Sequence, residues 1–187
     1  MELKGYILTG GESKRFGDED KALATLDGIT LVERVARLMK QHCQSIHLVK
    51  SSRQNYVQTG YPSLVDRLPN LGPLGGIDTA LEHAGNESWA FVCACDLSFM
   101  GADWVPTLVS NIQKDSDAVV FKGERFEPLF TLYHGRIASL VKEHIQTGLL
   151  APHRIFPKIN ATVLAMPPDW PQEPSFNTRQ SLEAFTK

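Results

Sequence analysis

Residues 89–96 read Trp-Ala-Phe-Val-Cys-Ala-Cys-Asp, seven positions without a charge stopped by a carboxylate. A continuous apolar run of this kind reads as the central strand of a sheet buried on both faces. A second strand, Lys4–Thr9, is cut off by Gly10-Gly11. Outward from these two, strand and helix patterns alternate with short breaks, the signature of a layered α/β fold with a mostly parallel sheet. Thr30 has the character of a helix N-cap, with Glu33 at capping-box spacing. Leu31, Val32, Val35, Leu38 and Met39 then keep a helical period. Strands are expected over Ser45–Lys50 and Ser63–Arg67. A second main helix opens at Gly72-Pro-Leu-Gly-Gly and runs to Ala84, where Gly85 can stop it. Beyond Asp96 the pattern gives a helix over Ala102–Gln113, strands over Asp117–Lys122 and Glu127–His134, and a helix over Gly135–Gln146. The tail holds six prolines between 152 and 174, one strand (Ala161–Ala165) and a final helix after Asn177.

The 187 residues suit one domain, and a 42% apolar share is enough to build a core at that length. No internal repeat or low-complexity tract interrupts it. A formal charge of −2 excludes a strongly basic nucleic-acid binder, which needs an excess of cations to displace counterions. It leaves room for a local phosphate site. The charge is uneven: residues 1–60 carry nine basic and seven acidic side chains, whereas 61–100 carry Arg67 against Asp66, Asp78, Glu82, Glu87 and Asp96. That asymmetry suits a phosphate grip facing a metal site, and chance fluctuation explains it equally well. Cys43, Cys93 and Cys95 give no disulfide framework, no redox pair and no zinc spacing, so they read as buried, reduced thiols. No signal peptide is recognisable, and no stretch approaches the roughly 20 apolar residues of a membrane span. The cytoplasm is the expected location.

Three segments could carry chemistry. Directly after the first strand comes Leu8-Thr-Gly-Gly-Glu-Ser-Lys-Arg-Phe-Gly-Asp-Glu-Asp-Lys21. Glycines at a strand's carboxyl end let backbone N–H groups approach a phosphate or base, and Lys14, Arg15 and Lys21 add cations there. The segment is neither a P-loop nor a dinucleotide fingerprint. Ligands collect outside the carboxyl ends of parallel strands, which favours a binding loop over a solvated turn. Asp96 is placed to hold Mg²⁺, an ion content with one or two protein carboxylates plus substrate phosphates. It can equally start the segment that follows as a helix cap. Asp66, ending another expected strand, strengthens the first reading if the two edges are adjacent. Gly72-Pro-Leu-Gly-Gly-Ile77 permits a ligand close to helical N–H groups, or is a plain loop-to-helix junction. The six histidines show no metal or nucleophile spacing; most read as surface residues, with His83 and His144 on polar helix faces.

Taken together, these motifs resemble the molybdenum cofactor guanylyltransferase family, within the larger class of sugar-phosphate-type nucleotidyltransferases. The family's opening, Leu-Ala-Gly-Gly-x-Ser-x-Arg-Met-Gly and then Asp-Lys, is matched by Leu8 through Lys21, with Thr9 for alanine and Phe16 for methionine. Gly72–Ile77 resembles its Gly-Pro-Leu-Ala-Gly block, and Cys95–Phe99 its Cys-Asp-x-Pro-Phe. Glu127–Tyr133 resembles Pro-Leu-Phe-Ala-Leu-Tyr, and Phe176-Asn-Thr178 resembles Asn-Thr-Pro. Ser98 and Arg179 depart from the pattern by replacing prolines, Ser175 stands where many members have another asparagine, and Lys50–Asn55 lacks the Asn-rich form of several relatives.

The resemblance implies a single-domain, three-layer α/β/α, Rossmann-like nucleotidyltransferase fold. It implies transfer of GMP from GTP to the terminal phosphate of molybdopterin, releasing pyrophosphate, in a Mg²⁺-dependent reaction. Leu8, Thr9, Gly10, Gly11, Lys21, Asp66 and Asp96 would bind the nucleotide, with Arg15 and Lys21 meeting phosphates and Asp96 holding the metal. Asn177 falls to the acceptor side. Other cofactor-biosynthesis proteins are implied partners; nucleic acid and membrane are not. Gly10-Gly11 and Gly-Pro-Leu-Gly-Gly resemble the guanine-using branch rather than cytidylyl-transferring relatives. A related enzyme acting on another nucleotide or a sugar phosphate remains the alternative. A noncatalytic nucleotide-binding regulator is the other, and would be expected to lack Lys21 or Asp96.

Overall fold

The computed structural model describes residues 2–10 and 20–185. Its main sheet has seven strands: β1 (Leu3–Leu8), β4 (Ser45–Lys50), β5 (Ser63–Val65), β6 (Trp89–Ala94), β7 (Ala118–Lys122), β8 (Phe126–His134) and β9 (Ala161–Ala165). The spatial order is β5-β4-β1-β6-β8-β7-β9. β5, β4, β1 and β6 run parallel to one another, β8 is antiparallel to both β6 and β7, and β9 is parallel to β7. The two strands read first in the sequence are therefore neighbours at the centre.

Helices cover both faces. Along β1 and β6 successive side chains point to opposite sides. Leu3, Ile7, Phe91, Cys93 and Cys95 join the layer of α1 (Leu31–Lys40) and α3 (Trp104–Ser110). Tyr6, Leu8, Ala90 and Val92 join the layer of α2 (Pro73–Ala84) and α4 (Ala138–Gln146). This is the expected three-layer α/β/α arrangement with a mostly parallel sheet. Among the described residues no helix is long and apolar enough to cross a membrane.

Thr30 caps α1 as its spacing foretold, its Oγ1 accepting the Glu33 N–H at 3.3 Å. Other boundaries move. The strand expected to reach Arg67 stops at Val65, because Asp66 turns back to accept the Leu68 N–H at 2.9 Å. The helix expected over Ala102–Gln113 shortens to Trp104–Ser110. The helix expected from Gly135 begins with a 3₁₀ turn over Gly135–Ile137. A hairpin absent from the expected order joins β2 (Thr25–Leu26) to β3 (Ile29–Thr30). Its turn, Asp27-Gly28, has φ of 52° and 76°, the two left-handed positions that an Asp-Gly pair supplies. A final helix, α5 (Arg179–Phe185), places Leu182 with Phe176, Leu26 and Leu31 in a small cluster beside that hairpin.

His144 is a correction. It is 3% exposed, not on a polar face, because Ala138, Val141 and His144 recur every third residue along the buried side of α4. Its Nδ1 meets the Leu140 carbonyl at 3.0 Å. His83 remains exposed, but against a partner: Nδ1 meets Tyr6 OH at 3.0 Å, and its ring lies 4.4 Å from that of His47, which stacks on Tyr6.

Burial pushes the pKa of both His47 and His83 below the ordinary 6.5; each ring is lowered further by Lys4, and His47 by His83. Above 6.5 both rings are neutral in the folded and unfolded chain, so their contribution to stability is complete. As the pH falls below 6.5 the unfolded chain binds protons first, and that stability is lost toward the lower folded values. The urea midpoint should therefore drop between about pH 7.5 and about pH 5.5, and the His47→Gln/His83→Gln double variant should show a smaller drop. An unchanged pH slope in that variant would refute the assignment.

Candidate active site

The parallel register pairs Leu8 with Ala94, so β1 and β6 release their next residues side by side. Cys95 N–H donates to the Leu8 carbonyl at 3.2 Å, and Asp96 follows at the sheet edge. Thr9 stays tied to β4: its N–H and its hydroxyl both reach the Val49 carbonyl at 2.9 Å. That spends the Thr9 side chain on the fold. Gly10 is exposed just beyond.

Lys21 opens a 3₁₀ turn over Lys21–Leu23 that Asp20 caps. One Asp20 oxygen accepts the Ala22 N–H at 3.0 Å; the other accepts Gln54 Nε2 at 3.1 Å and Tyr56 OH at 2.7 Å. Held this way, Lys21 extends its Nζ to Asp96 Oδ2 in an ion pair whose side chains are 17% and 16% exposed. The structure thus brings into direct contact the two groups read separately as phosphate grip and metal carboxylate. Separating them without replacement would leave two largely desolvated charges, at about 3–5 kcal/mol for breaking one such pair.

The tail completes this corner. Phe176 N–H donates to the Asp96 carbonyl at 2.8 Å, Ser175 bridges Leu97, and Ser98 donates its N–H to Pro174 (2.9 Å) and its hydroxyl to Glu173 (2.7 Å). Asn177, exposed, is next in the chain to the residue bonded to Asp96, and its Nδ2 reaches the Ser175 carbonyl at 3.4 Å. The proline-to-serine departure at 98 has a use here, since proline has no N–H to give Pro174.

Asp66 needs correction as a neighbour of Asp96. β4 and β1 stand between β5 and β6, so the two carboxylates leave the sheet three strand spacings apart, about 14 Å. Asp66 instead packs on the first turn of α2: a Cβ at Gly75 would lie 3.1 and 3.2 Å from its oxygens and 2.5 Å from the Leu68 carbonyl. A Cβ at Gly76 would meet Leu8 at 3.0 Å. Of the three glycines of that block, Gly75 is demanded by backbone packing, Gly76 could take a methyl only if the Leu8 side chain gave way, and Gly72 is required by its φ of 63°. Gly10 differs, because a Cβ there meets only Ser51 N, at an ordinary 3.8 Å among the described residues. Gly11, Lys14 and Arg15 lie outside the described residues.

Gln54, Tyr56 and Glu127 were not singled out individually in the sequence. Gln54 and Tyr56 follow the carboxyl end of β4, the zone where such sites gather, so a signal existed. Glu127 stood inside the Glu-Pro-Leu-Phe block. Continuing the β6–β8 register beyond Cys93 and Phe130 sets Glu127 opposite Asp96. Burial raises the Glu127 carboxyl, the Leu129 N–H partly offsets this, and Asp96 adds to the rise. Burial also raises the thiols, Cys43 to about 12 and Cys93 and Cys95 well above their ordinary range, which matches inert cysteines rather than nucleophiles.

Among the described residues no three His, Cys, Asp or Glu side chains group as a metal site. A magnesium ion that draws most of its oxygens from substrate phosphates and water needs only one or two carboxylates. Asp96 suits that role: Lys21 already sets a cation on Oδ2, and no hydrogen bond engages Oδ1 among the described residues. Asp20 suits it less, since its two oxygens already accept from three donors that hold the turn.

The MobA-like NTP transferase domain family matches residues 5–158. The molybdenum cofactor guanylyltransferase of Desulfosudis oleivorans is 32% identical over 97% of this chain and 93% of its own length. That of Serratia proteamaculans is 34% identical over 79% and 75%. The crystal structure of molybdopterin-guanine dinucleotide biosynthesis protein A from Archaeoglobus fulgidus superposes with a TM-score of 0.80 at 21% identity, covering 98% of this chain and 96% of that one. The last likeness concerns the fold. The chain belongs to the MobA-like NTP transferase family and is a nucleotidyltransferase.

The packing at α2 makes a direct prediction. Gly75→Ala should cost about 1–3 kcal/mol of stability, because the added methyl meets a backbone carbonyl that cannot rotate away. Urea unfolding measures it, and a wild-type midpoint would overturn the close approach of Asp66 and Leu68 to the helix.

Proposed function

We propose that this chain transfers GMP from GTP to the terminal phosphate of molybdopterin, forming a guanine dinucleotide and releasing pyrophosphate, with Mg²⁺ held by Asp96. The observation that carries this reading is the Lys21–Asp96 pair, reached from the 3₁₀ turn and from the end of β6, a cation and a carboxylate that substrate and metal could take over. The names of the relatives supply the choice of GTP and molybdopterin.

In the reaction, an oxygen of the acceptor phosphate forms a bond to the α-phosphorus of GTP, and the bond from that phosphorus to the bridging oxygen of the leaving pyrophosphate breaks. The acceptor is already an anion, so no strong general base is required. Catalysis then rests on position and on neutralising the charge that gathers around the α-phosphate. Lys21 supplies one positive charge by turning from Asp96 to phosphate. Asp96, released in the same exchange, would hold the metal, so that neither largely buried charge would be left without a counterpart. Bound there, Mg²⁺ supplies electrostatic stabilisation of phosphate oxygens and of the leaving group. Gly10 offers an edge without a side chain, which no contact within the described fold requires. Asp66, beside the first turn of α2, would meet the nucleotide's ribose side, and Asn177 the acceptor.

Two variants test this with opposite structural demands. Gly10→Ala should leave stability within about 0.5 kcal/mol while weakening GTP binding, since its methyl meets a ligand rather than the protein. Asp96→Ala should remain folded and lose at least about 100-fold in transfer assayed with GTP, Mg²⁺ and molybdopterin. GTP, but not CTP, should raise the melting temperature of the wild type. Equal use of CTP would move the chain to the cytidylyl alternative, and near-normal turnover by Asp96→Ala would remove the metal role.

A further inference from the structure

The primary amide of Gln54 has three bonds to three separate segments. Nε2 donates to the Thr9 carbonyl at 3.1 Å and to Asp20 Oδ2 at 3.1 Å, while Oε1 accepts the Ser51 N–H at 2.9 Å. Its own backbone is fixed as well: Lys50 Nζ reaches the Gln54 carbonyl at 2.6 Å, and Gln54 N–H reaches Ser51 at 3.2 Å. The two groups joined by Nε2 are both acceptors. One ends β1; the other caps the turn that carries Lys21. A primary amide, with two N–H bonds and an oxygen at one end, can serve both and still accept from Ser51. A carboxylate cannot.

We infer that Gln54 is the positioning residue of the Lys21–Asp96 pair. It fixes the end of β1, where Gly10 begins, relative to the turn from which Lys21 reaches Asp96, and so sets where the nucleotide's charges are received. Tyr56 OH braces the same Asp20 oxygen from the other side at 2.7 Å, so removing one donor loosens the turn without dissolving it. The inference rests on the functional reading of Lys21 and Asp96 above, but its effect on Lys21 can be read without any substrate.

Gln54→Glu is the informative variant. It sets a carboxylate against the Asp20 carboxylate and the Thr9 carbonyl, where like charges so close share one proton as the pH falls. Three readouts apply: the melting temperature as a folding control, the Lys21 side-chain nitrogen resonance (assigned by its loss in Lys21→Ala), and the GTP·Mg²⁺ dissociation constant. Near neutral pH the Lys21 resonance should move toward that of a free lysine, and GTP should bind about 10-fold more weakly. Lowering the pH should restore both in the variant, and Asp20→Asn added to Gln54→Glu should restore them in part without acid, by returning an amide donor to the pair. A folded Gln54→Glu protein with wild-type Lys21 resonance and affinity overturns the inference. So does a loss that neither acid nor Asp20→Asn relieves, which would mark Gln54 as a general support of the loop. Should Gln54→Glu fail to fold, Gln54→Leu takes its place: it removes both donors without adding charge, and an unmoved Lys21 resonance there overturns the inference equally. If the wild type binds no GTP, the functional reading fails, and the Lys21 resonance still decides the role of Gln54.

Discussion

Everything in the candidate site hangs on the parallel register of β1 and β6. Pairing Leu8 with Ala94 makes the glycine after one strand and the carboxylate after the other leave the sheet together. Slide that register by one residue and every side chain of the strand changes face, which two hydrophobic layers forbid. The apolar residues of both strands are divided between the α1/α3 and α2/α4 layers, so core packing fixes the place of the polar ends. Chemistry here is positioned by hydrophobic burial some distance below it.

That dependence explains what could be read from the sequence. Strand β6 was legible because it is apolar throughout, α1 because Thr30 and Glu33 mark its start, and Lys21 and Asp96 because each lies just after a recognisable pattern. The hairpin over Thr25–Thr30 was harder. Its strands are two residues long, too short for alternation to register, although Asp27-Gly28 carried the turn signal. The order β5-β4-β1-β6 puts Asp66 at the far side, and no local pattern encodes how many strands lie between two edges. Gln54 escaped because a polar residue in a polar loop has no periodicity; its meaning comes from Thr9 and Asp20, 45 and 34 residues away.

The uneven charge along the chain also gains a physical reading. The surplus of cations in the first third and of acids in the middle meets in one contact, Lys21 with Asp96. In the pair each charge meets an opposite one, which lets a lysine and an aspartate stand together partly out of water. Two other carboxylates at this end of the sheet are engaged elsewhere. Asp20 already accepts from three donors, and Asp66 turns back on its own loop.

The bond from Phe176 to the Asp96 carbonyl has a temporal side. The two residues lie eighty positions apart, and the hydrogen bonds of Ser98 likewise reach Glu173 and Pro174. A ribosome delivers the chain from its N-terminus, so β1 and β6 can pair while residues 173–176 are still being made. The segment bearing the site's carboxylate receives its last backbone partners only once those residues have emerged. The nascent protein would therefore pair β1 with β6 before the corner around Asp96 is finished, and that corner would be completed as a late event in synthesis.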